Sequence, residues 1–168
     1  TSDAILTKAL SYRAEIIALI EPSIGFFPKI DMSDEVHKFL LVRDLSDTPP
    51  ERYPIRYQNE DYLQLYESKL IAQYDHRFGS FDGCTSTEHE AGANRNPTIK
   101  EKAVADFTSL PRYLVPKNLV DNRYDAANKG NGYLLAVRRL TRATDMRTSI
   151  FCVLPYAGCG NSMFVFNL

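Results

Sequence analysis

Two short apolar runs organise the C-terminal third of the chain. Residues 133–137 and 150–154 are continuous stretches of aliphatic, aromatic and β-branched side chains, bounded by Gly132 and Pro155. Runs of this length with such boundaries predict strands covered on both faces, rather than amphipathic helices. Residues 138–149 between the two runs are mainly polar, so we predict that they form a loop.

Apolar spacing predicts a helix at the start of the chain, over residues 3–20. Its apolar residues recur at helical spacing on one face, and Ser2 is positioned to cap its first turn. We expect this helix to pack against the sheet. Residues 39–42 predict a buried strand, and the proline-containing residues 44–56 predict a surface connection.

The middle of the chain alternates between strand and turn signals. Period-two alternation from residue 61 predicts a strand, followed by one helical turn at 69–74 and a second strand at 78–81. Residues 83–96 are rich in Gly, Ser, Thr and Asn, which predicts a mobile loop in which His89 has no role.

The next segment carries helix-capping signals. Thr98 and Glu101 have the spacing of a capping box and predict a short helix that extends to residue 107. A strand at 110–115 and a helix that starts at Pro116 complete the pattern. Together the elements predict a mixed α/β, sheet-rich fold with an N-terminal packing helix and short peripheral helices.

Composition indicates one domain. A chain of 168 residues with 44% hydrophobic content can bury one sizeable core, and no apolar run approaches a membrane span or a signal peptide. We therefore expect a cytoplasmic protein with no membrane partner. Three cysteines without paired spacing favour reduced thiols over disulfides or a zinc site. Because the chain starts without methionine and ends after an apolar run, we interpret residues 1–168 as a single domain from a longer polypeptide.

Charge is distributed unevenly along the chain. Residues 1–110 contain 12 Lys/Arg and 18 Asp/Glu, whereas residues 111–168 contain 8 Lys/Arg and 3 Asp/Glu. A basic third of this kind is expected for a surface that faces nucleic acid on one side. Internal ion pairing between the two parts would produce the same counts, and this alternative stays open.

The predicted loop at 138–149 concentrates this positive charge. Guanidinium groups and hydroxyls suit phosphate oxygens and the acceptor edges of guanine. The alternative is a solvated hairpin whose arginines pair with acids elsewhere in the fold. The candidate DNA-contacting residues here are Arg138, Arg139, Arg142, Thr144, Arg147 and Thr148.

Four ordered motifs carry a resemblance to a known family. They are the Asp-Met-Ser segment at 31–39, residues 65–81, Pro111-Arg112-Tyr113, and Arg138 with Thr-Asp-Met-Arg-Thr at 144–148 and a strand ending at Pro155. This arrangement resembles the region after the catalytic domain of large DNA N6-adenine methyltransferases, including fused restriction-modification and phage-defence enzymes. The resemblance covers about three quarters of the chain. Ser68 departs from it, because the family usually has Gly there.

The resemblance implies a target-recognition region that contacts double-stranded DNA and is linked to a methyltransferase domain of the same polypeptide. Lys69, His76, Arg77 and Arg112 form a second set of candidate DNA contacts, with Asp75 holding His76 or Arg77. The chain lacks an Asn/Asp-Pro-Pro-aromatic element and a glycine-rich cofactor loop, so we expect no catalysis, cofactor or metal in this fragment, and S-adenosylmethionine in the parent protein.

Two alternatives from other classes remain. One is a scaffold module that docks the methyltransferase to a nuclease or helicase subunit without touching bases. The other is a cryptic metal-dependent nuclease that uses Asp61, Glu67 and Lys69. A basic exposed face would favour DNA binding, whereas a large exposed apolar patch would favour docking.

Overall fold

The computed structural model describes residues 40–41, 53–57, 59–124, 130–142, 147 and 149–166. The predicted N-terminal helix at 3–20 and the Asp-Met-Ser segment lie outside these residues. The strands are β1 (Leu40–Leu41), β2 (Ile55–Tyr57), β3 (Glu60–Tyr66), β4 (Tyr113–Pro116), β5 (Tyr133–Arg138), β6 (Phe151–Pro155), β7 (Gly158–Cys159) and β8 (Met163–Phe166). The helices are α1 (Ser86–Ala91), α2 (Ile99–Lys102) and α3 (Lys117–Arg123), and a 3₁₀ turn spans Ser68–Leu70.

Strand β3 is the centre of a five-stranded sheet. On one side it pairs antiparallel with β4, which pairs in turn with β1. On the other side β2 runs antiparallel to the first half of β3, and β7 runs parallel to its last two residues, with Leu65 opposite Gly158. A Cβ atom on Gly158 would lie 2.6 Å from Cγ1 of Val115, so β7 can approach this closely only because it has no side chain there.

The second sheet has three antiparallel strands in the order β6-β5-β8. In the register, Val137 of β5 faces Phe151 of β6, and Arg138 faces Met163 of β8. The start of β6, the end of β5 and the start of β8 therefore share one end of this sheet. Tyr133 and Pro155 face each other at the opposite end.

One hydrophobic core joins both sheets. Leu65 of the first sheet and Leu134 of the second are fully buried members of the same cluster. Gln64 is also buried, and its Nε2 donates to the backbone carbonyl of Ser109 at 2.8 Å, which satisfies the amide in an apolar setting. The fold is the predicted mixed α/β, sheet-rich arrangement. No helix in the described part of the chain has the length and apolar character needed to cross a membrane.

The two apolar runs are strands, as predicted, but their burial differs from the prediction. Leu134 and Ala136 of β5 and Cys152 and Leu154 of β6 are buried, whereas Val153 on the other face of β6 is 54% exposed. These strands are thus covered on one face and only partly on the other. Continuous apolar sequence does not distinguish the two cases, because neighbouring segments decide what covers each face.

Two predictions in the middle of the chain are wrong. Residues 78–81 do not form a strand: their pairing is an isolated bridge between Ser80 and Arg95. The predicted loop at 83–96 contains α1, because Thr85 and Glu88 form a capping box and Gly92 ends the helix in the left-handed conformation. His89 is buried against the Phe81 ring, 5.1 Å between centroids, so it has a packing role.

The other local predictions are mostly confirmed, with shorter boundaries. Thr98 and Glu101 form the predicted capping box, although α2 ends at Lys102 rather than near residue 107. The helix after Pro116 is α3, and the turn predicted at 69–74 is the 3₁₀ turn at Ser68–Leu70. The predicted surface connection at 44–56 reaches too far, because β2 begins at Ile55. The three cysteines are free thiols.

Candidate nucleic-acid interface

The arginine loop, defined as residues 138–149, connects β5 to β6 at one end of the three-stranded sheet. Its first residues are held to the sheet by backbone hydrogen bonds. Arg138 N–H donates to the Ile150 carbonyl at 3.0 Å, and Arg139 N–H donates to the Ser162 carbonyl at 2.9 Å. The loop therefore starts from a fixed position beside the beginning of β8.

Arg138 is directed into the protein. Its side chain is half-buried, and its Nη2 donates to the backbone carbonyl of Ile71. The residues that follow Ile71 run along β6. A guanidinium that bonds a buried carbonyl links two parts of the fold. Arg138 thus has a structural contact, and its partner here is a backbone carbonyl rather than one of the acids expected under the alternative to DNA contact.

Arg139, Arg142 and Arg147 are exposed. The Arg139 guanidinium lies over the Phe164 ring of β8, with 6.0 Å between its carbon and the ring centroid. No carboxylate of a described residue lies within salt-bridge distance of Arg139 or Arg147. The alternative considered for the loop was that its arginines pair with acids elsewhere in the fold. Neither Arg139 nor Arg147 forms such a pair with a described acid. Thr144, Thr148 and Asp145 lie outside the described residues.

Lys69 and Arg112 meet at the C-terminal end of α1. Lys69 Nζ donates to the Gly92 carbonyl at 2.9 Å, and Arg112 Nη2 donates to the Glu90 carbonyl at 2.6 Å. Carbonyls in the last turn of a helix have no partner within the helix, and cations there are favourable. These two predicted DNA contacts therefore stabilise the end of a helix. Lys69 also pairs with Glu67, 3.3 Å from Nζ to Oε1.

A shared serine connects this helix end to the arginine loop. Ser162 accepts the Arg139 N–H through its carbonyl and the Ser68 N–H through its Oγ, both at 2.9 Å. Because Lys69 directly follows Ser68, its backbone lies near the start of the arginine loop. Its Nζ is nevertheless engaged by the Gly92 carbonyl and by Glu67.

His76 and Arg77 lie apart from that surface. His76 is half-buried near Tyr133 and Pro155, at the other end of β5 and β6. Burial lowers the pKa of His76, the Arg77 guanidinium lowers it further, and the Asp75 carboxylate acts in the opposite direction. The Arg77 guanidinium lies over the Phe107 ring at 6.0 Å.

Asp75 holds the backbone of Arg77, not the His76 imidazole. Its Oδ1 accepts the Arg77 N–H at 2.8 Å, and its Oδ2 accepts from Lys102 Nζ at 2.6 Å. Asp75 therefore contacts Arg77 only through the Arg77 main chain, and its side-chain partner is Lys102.

The acids of the nuclease alternative do not converge. Asp61 lies near the start of β3 and pairs with Arg56 at 3.1 Å, whereas Glu67 follows the end of the same strand and pairs with Lys69. Six residues of extended chain separate their backbones by roughly 20 Å, too far for both carboxylates to bind one metal ion. Within the described ranges, no group of three His, Cys, Asp or Glu side chains is arranged to hold a metal.

A cavity among the described residues was not predicted from the sequence. It has a volume of about 490 Å³ and lies where the two sheets meet, near His76 and away from the arginine loop. Its lining residues come from the segment before β2, from β3, from the segment before β4, and from the start of β5 and the end of β6. No local motif signals such a site, because it exists only after these segments assemble.

Comparison with known proteins returned no relative: no family profile, no curated protein and no solved structure matches this chain.

Proposed function

We propose that this chain is the DNA-recognition module of a site-specific adenine-N6 DNA methyltransferase or restriction-modification protein, and that it contacts duplex DNA through the arginine loop. The observation that supports this most directly is the exposure of Arg139, Arg142 and Arg147 on one loop, with no described carboxylate paired to Arg139 or Arg147. Exposed guanidinium groups attract phosphates and fit the acceptor edge of guanine.

The loop is well placed for this role because its first residues are held to the sheet. A backbone hydrogen bond holds Arg139 to Ser162, just before β8, and the exposed Arg139 guanidinium lies over the Phe164 ring. A donor that is already ordered loses less conformational entropy when it binds. Arg139 is therefore the best-supported contact residue, and Arg142 and Arg147 are further exposed cations of the same loop.

The resemblance of the four sequence motifs supports the methyltransferase setting. In this proposal the base chemistry and S-adenosylmethionine belong to a methyltransferase domain of the same polypeptide, in the cytoplasm, and the present chain supplies affinity and sequence preference. The double-stranded DNA partner is recognised first through phosphates, and any arginine forked onto a guanine adds discrimination.

The test is a DNA-binding titration of Arg139→Ala and Arg147→Ala, with Arg56→Ala as the matched control. Arg56 is also exposed but lies on β2, in a surface pair with Asp61. We expect the two loop variants to bind duplex DNA more weakly at unchanged melting temperature. The slope of log K against log salt should become shallower by about 0.9 for each phosphate contact that a substitution removes. Equal affinities for all three variants would contradict the proposal.

A docking function is the second candidate, because one apolar surface is exposed. Tyr74 (82%), Val153 (54%) and Tyr133 (45%) lie together beside His76, away from the arginine loop. An aromatic and aliphatic group of this kind is typical of protein contacts. Docking would be favoured if the arginine variants bind DNA as the wild type does and Tyr74→Ser loses its association with the methyltransferase domain.

A further inference from the structure

The cavity between the sheets has the shape of a binding pocket. Its volume of about 490 Å³ falls within the roughly 300–1,000 Å³ range of small-molecule sites. Pro54, Thr108 and Gly132 at its rim are exposed, whereas Gln64 and Ser109 of its lining are buried. The pocket therefore opens to solvent and has a buried floor.

Aromatic rings supply much of its wall. Tyr66 and Phe107 line the cavity together with Tyr53 and Tyr156. The position of Tyr156 is fixed, since its hydroxyl donates to Asp121 Oδ1 at 2.8 Å and its ring packs edge-on against Tyr124. An aromatic ring held in place favours a flat ligand, because stacking on it requires little rearrangement of the wall.

Two hydroxyls of the lining have unmet hydrogen-bonding capacity. Ser109 Oγ and Tyr53 Oη are buried and make no hydrogen bond of normal geometry within the described ranges, and the neighbouring Gln64 side chain offsets part of the rise in the Tyr53 pKa that burial causes. The Nε2 of Gln64 is already engaged, because it donates to the Ser109 carbonyl. A buried hydroxyl without a good partner is costly, so a rotation of either side chain that brings its oxygen to the cavity wall would let it bond the polar edge of a ligand.

The charges at the cavity are compensated. Lys117, at its edge, pairs with Asp121, and burial lowers the pKa of His76, which disfavours a charge on that imidazole. These groups offer a charged ligand no uncompensated charge of the opposite sign. The pocket therefore matches a neutral molecule.

We infer that this cavity binds a neutral, planar heteroaromatic ring of the nucleobase type, stacked on the aromatic wall and hydrogen-bonded at its edge to Tyr53 and Ser109. Every nucleobase has stacking faces together with donor and acceptor atoms on its edge. The ring has two possible sources, a free nucleoside or an unstacked base of bound DNA. The inference does not depend on the proposed function, because the free ligand alone is enough to test it.

The first test uses adenosine, guanosine, cytidine and thymidine as probes, with ribose 5-phosphate as a matched ligand that lacks the ring. Saturation-transfer NMR should detect at least one nucleoside and not the sugar phosphate, and calorimetry gives its Kd. Tyr53→Phe and Ser109→Ala should each weaken that binding about three- to tenfold, the effect of one hydrogen bond. Tyr57→Phe, which changes a tyrosine outside the cavity, should leave it unchanged.

These variants separate binding from stability. Removing an unpartnered buried hydroxyl does not destabilise the free protein, so the melting temperature should stay the same or rise while affinity falls. Thr108→Trp provides an independent variant, because Thr108 is an exposed rim residue and an indole there should fill the cavity and abolish binding.

The second test identifies the source of the ring. A duplex carrying 2-aminopurine should fluoresce more strongly with the wild-type chain than with Thr108→Trp if a DNA base enters the cavity, whereas nucleoside binding without this change would assign the site to a free ligand. Either outcome supports the inference. It would be overturned if neither probe binds, or if binding survives unchanged in Tyr53→Phe, Ser109→Ala and Thr108→Trp.

Discussion

Two neighbouring arginines have different surroundings in this protein. Arg138 ends β5 and bonds the Ile71 carbonyl, whereas Arg139 begins the exposed part of the arginine loop and lies on Phe164 at the surface. Successive side chains of an extended chain point to opposite sides, so one points inward and the next outward. Their chemistry is identical, and only their position decides whether the charge stabilises the fold or is offered to a partner.

This difference predicts opposite effects of the same substitution. Arg138→Ala should lower the free energy of unfolding by about 1.5–3 kcal/mol, the range for a hydrogen bond to a charged group, and leave the DNA affinity of the folded protein unchanged. Arg139→Ala should do the reverse. Urea denaturation and DNA titration of both variants measure the two quantities. An Arg138→Ala variant with normal stability and weakened DNA binding would show that Arg138 contacts DNA.

At the scale of elements, short helices depend on their ends. Helices α1 and α2 have only 6 and 4 residues, too few to be stable by propensity, but each starts with a complete capping box. The Thr98 N–H donates to Glu101 Oε2 at 2.6 Å, and Glu101 Oε1 accepts from Arg95 at 2.7 Å. This carboxylate thus joins the start of α2 to the preceding segment.

These bonds predict an acid-sensitive component of stability. The Arg95 guanidinium, followed by the Thr98 N–H and hydroxyl, lowers the pKa of Glu101 from its ordinary value of 4.5 to about 2. A lowered folded-state pKa contributes stability above pH 4.5, and that contribution is lost as the pH falls from 4.5 towards 2. Glu101→Gln should therefore be less stable at neutral pH and show a flatter pH dependence of unfolding over this interval.

Urea denaturation at a series of pH values measures the effect, with Asp106→Asn as a control acid in the loop that follows α2. The Asp106 carboxylate has no cation partner among the described residues, so Asp106→Asn should not reproduce the effect of Glu101→Gln. Parallel curves for Glu101→Gln and the wild type would mean that the carboxylate makes no net contribution.

At the scale of the whole molecule, the two sheets share a core. Leu65, in the central strand of one sheet, and Leu134, in the central strand of the other, are both fully buried in the same cluster. A shared core predicts that neither sheet keeps its packing when the other is lost. The cavity and the arginine loop, at opposite ends of the second sheet, depend on the same packing.

Leu65→Ala tests this coupling. We expect a loss of about 2–5 kcal/mol in the free energy of unfolding, because the substitution leaves a cavity in packed surroundings. Circular dichroism and tyrosine fluorescence should report a single coincident transition, since the chain has tyrosines in both sheets. Leu140→Ala is the control, because Leu140 is 80% exposed. Two separate transitions would show that the sheets fold independently.

Local signals predicted elements well where neighbouring residues alone determine the structure. The capping box at Thr98 and the apolar runs of β5 and β6 were recognisable because each depends on a few adjacent positions. The helix at 86–91 was missed, although Thr85 and Glu88 have the same capping-box spacing, because its polar composition resembles that of a loop. The arginine loop was located from the sequence, but the exposure of its individual side chains was not.

The amino-acid sequence by itself determined the fold class, the central strands and the concentration of arginines between two of them, because these follow from local propensity and from the order of residues. Only the tertiary structure decided that Arg138 bonds Ile71, that Lys69 and Arg112 stabilise the end of α1, and that an aromatic cavity forms between the sheets. Each of these depends on contacts between residues far apart in the chain. Such contacts are set by how the two sheets pack around their shared core, and no local pattern of residues encodes that packing.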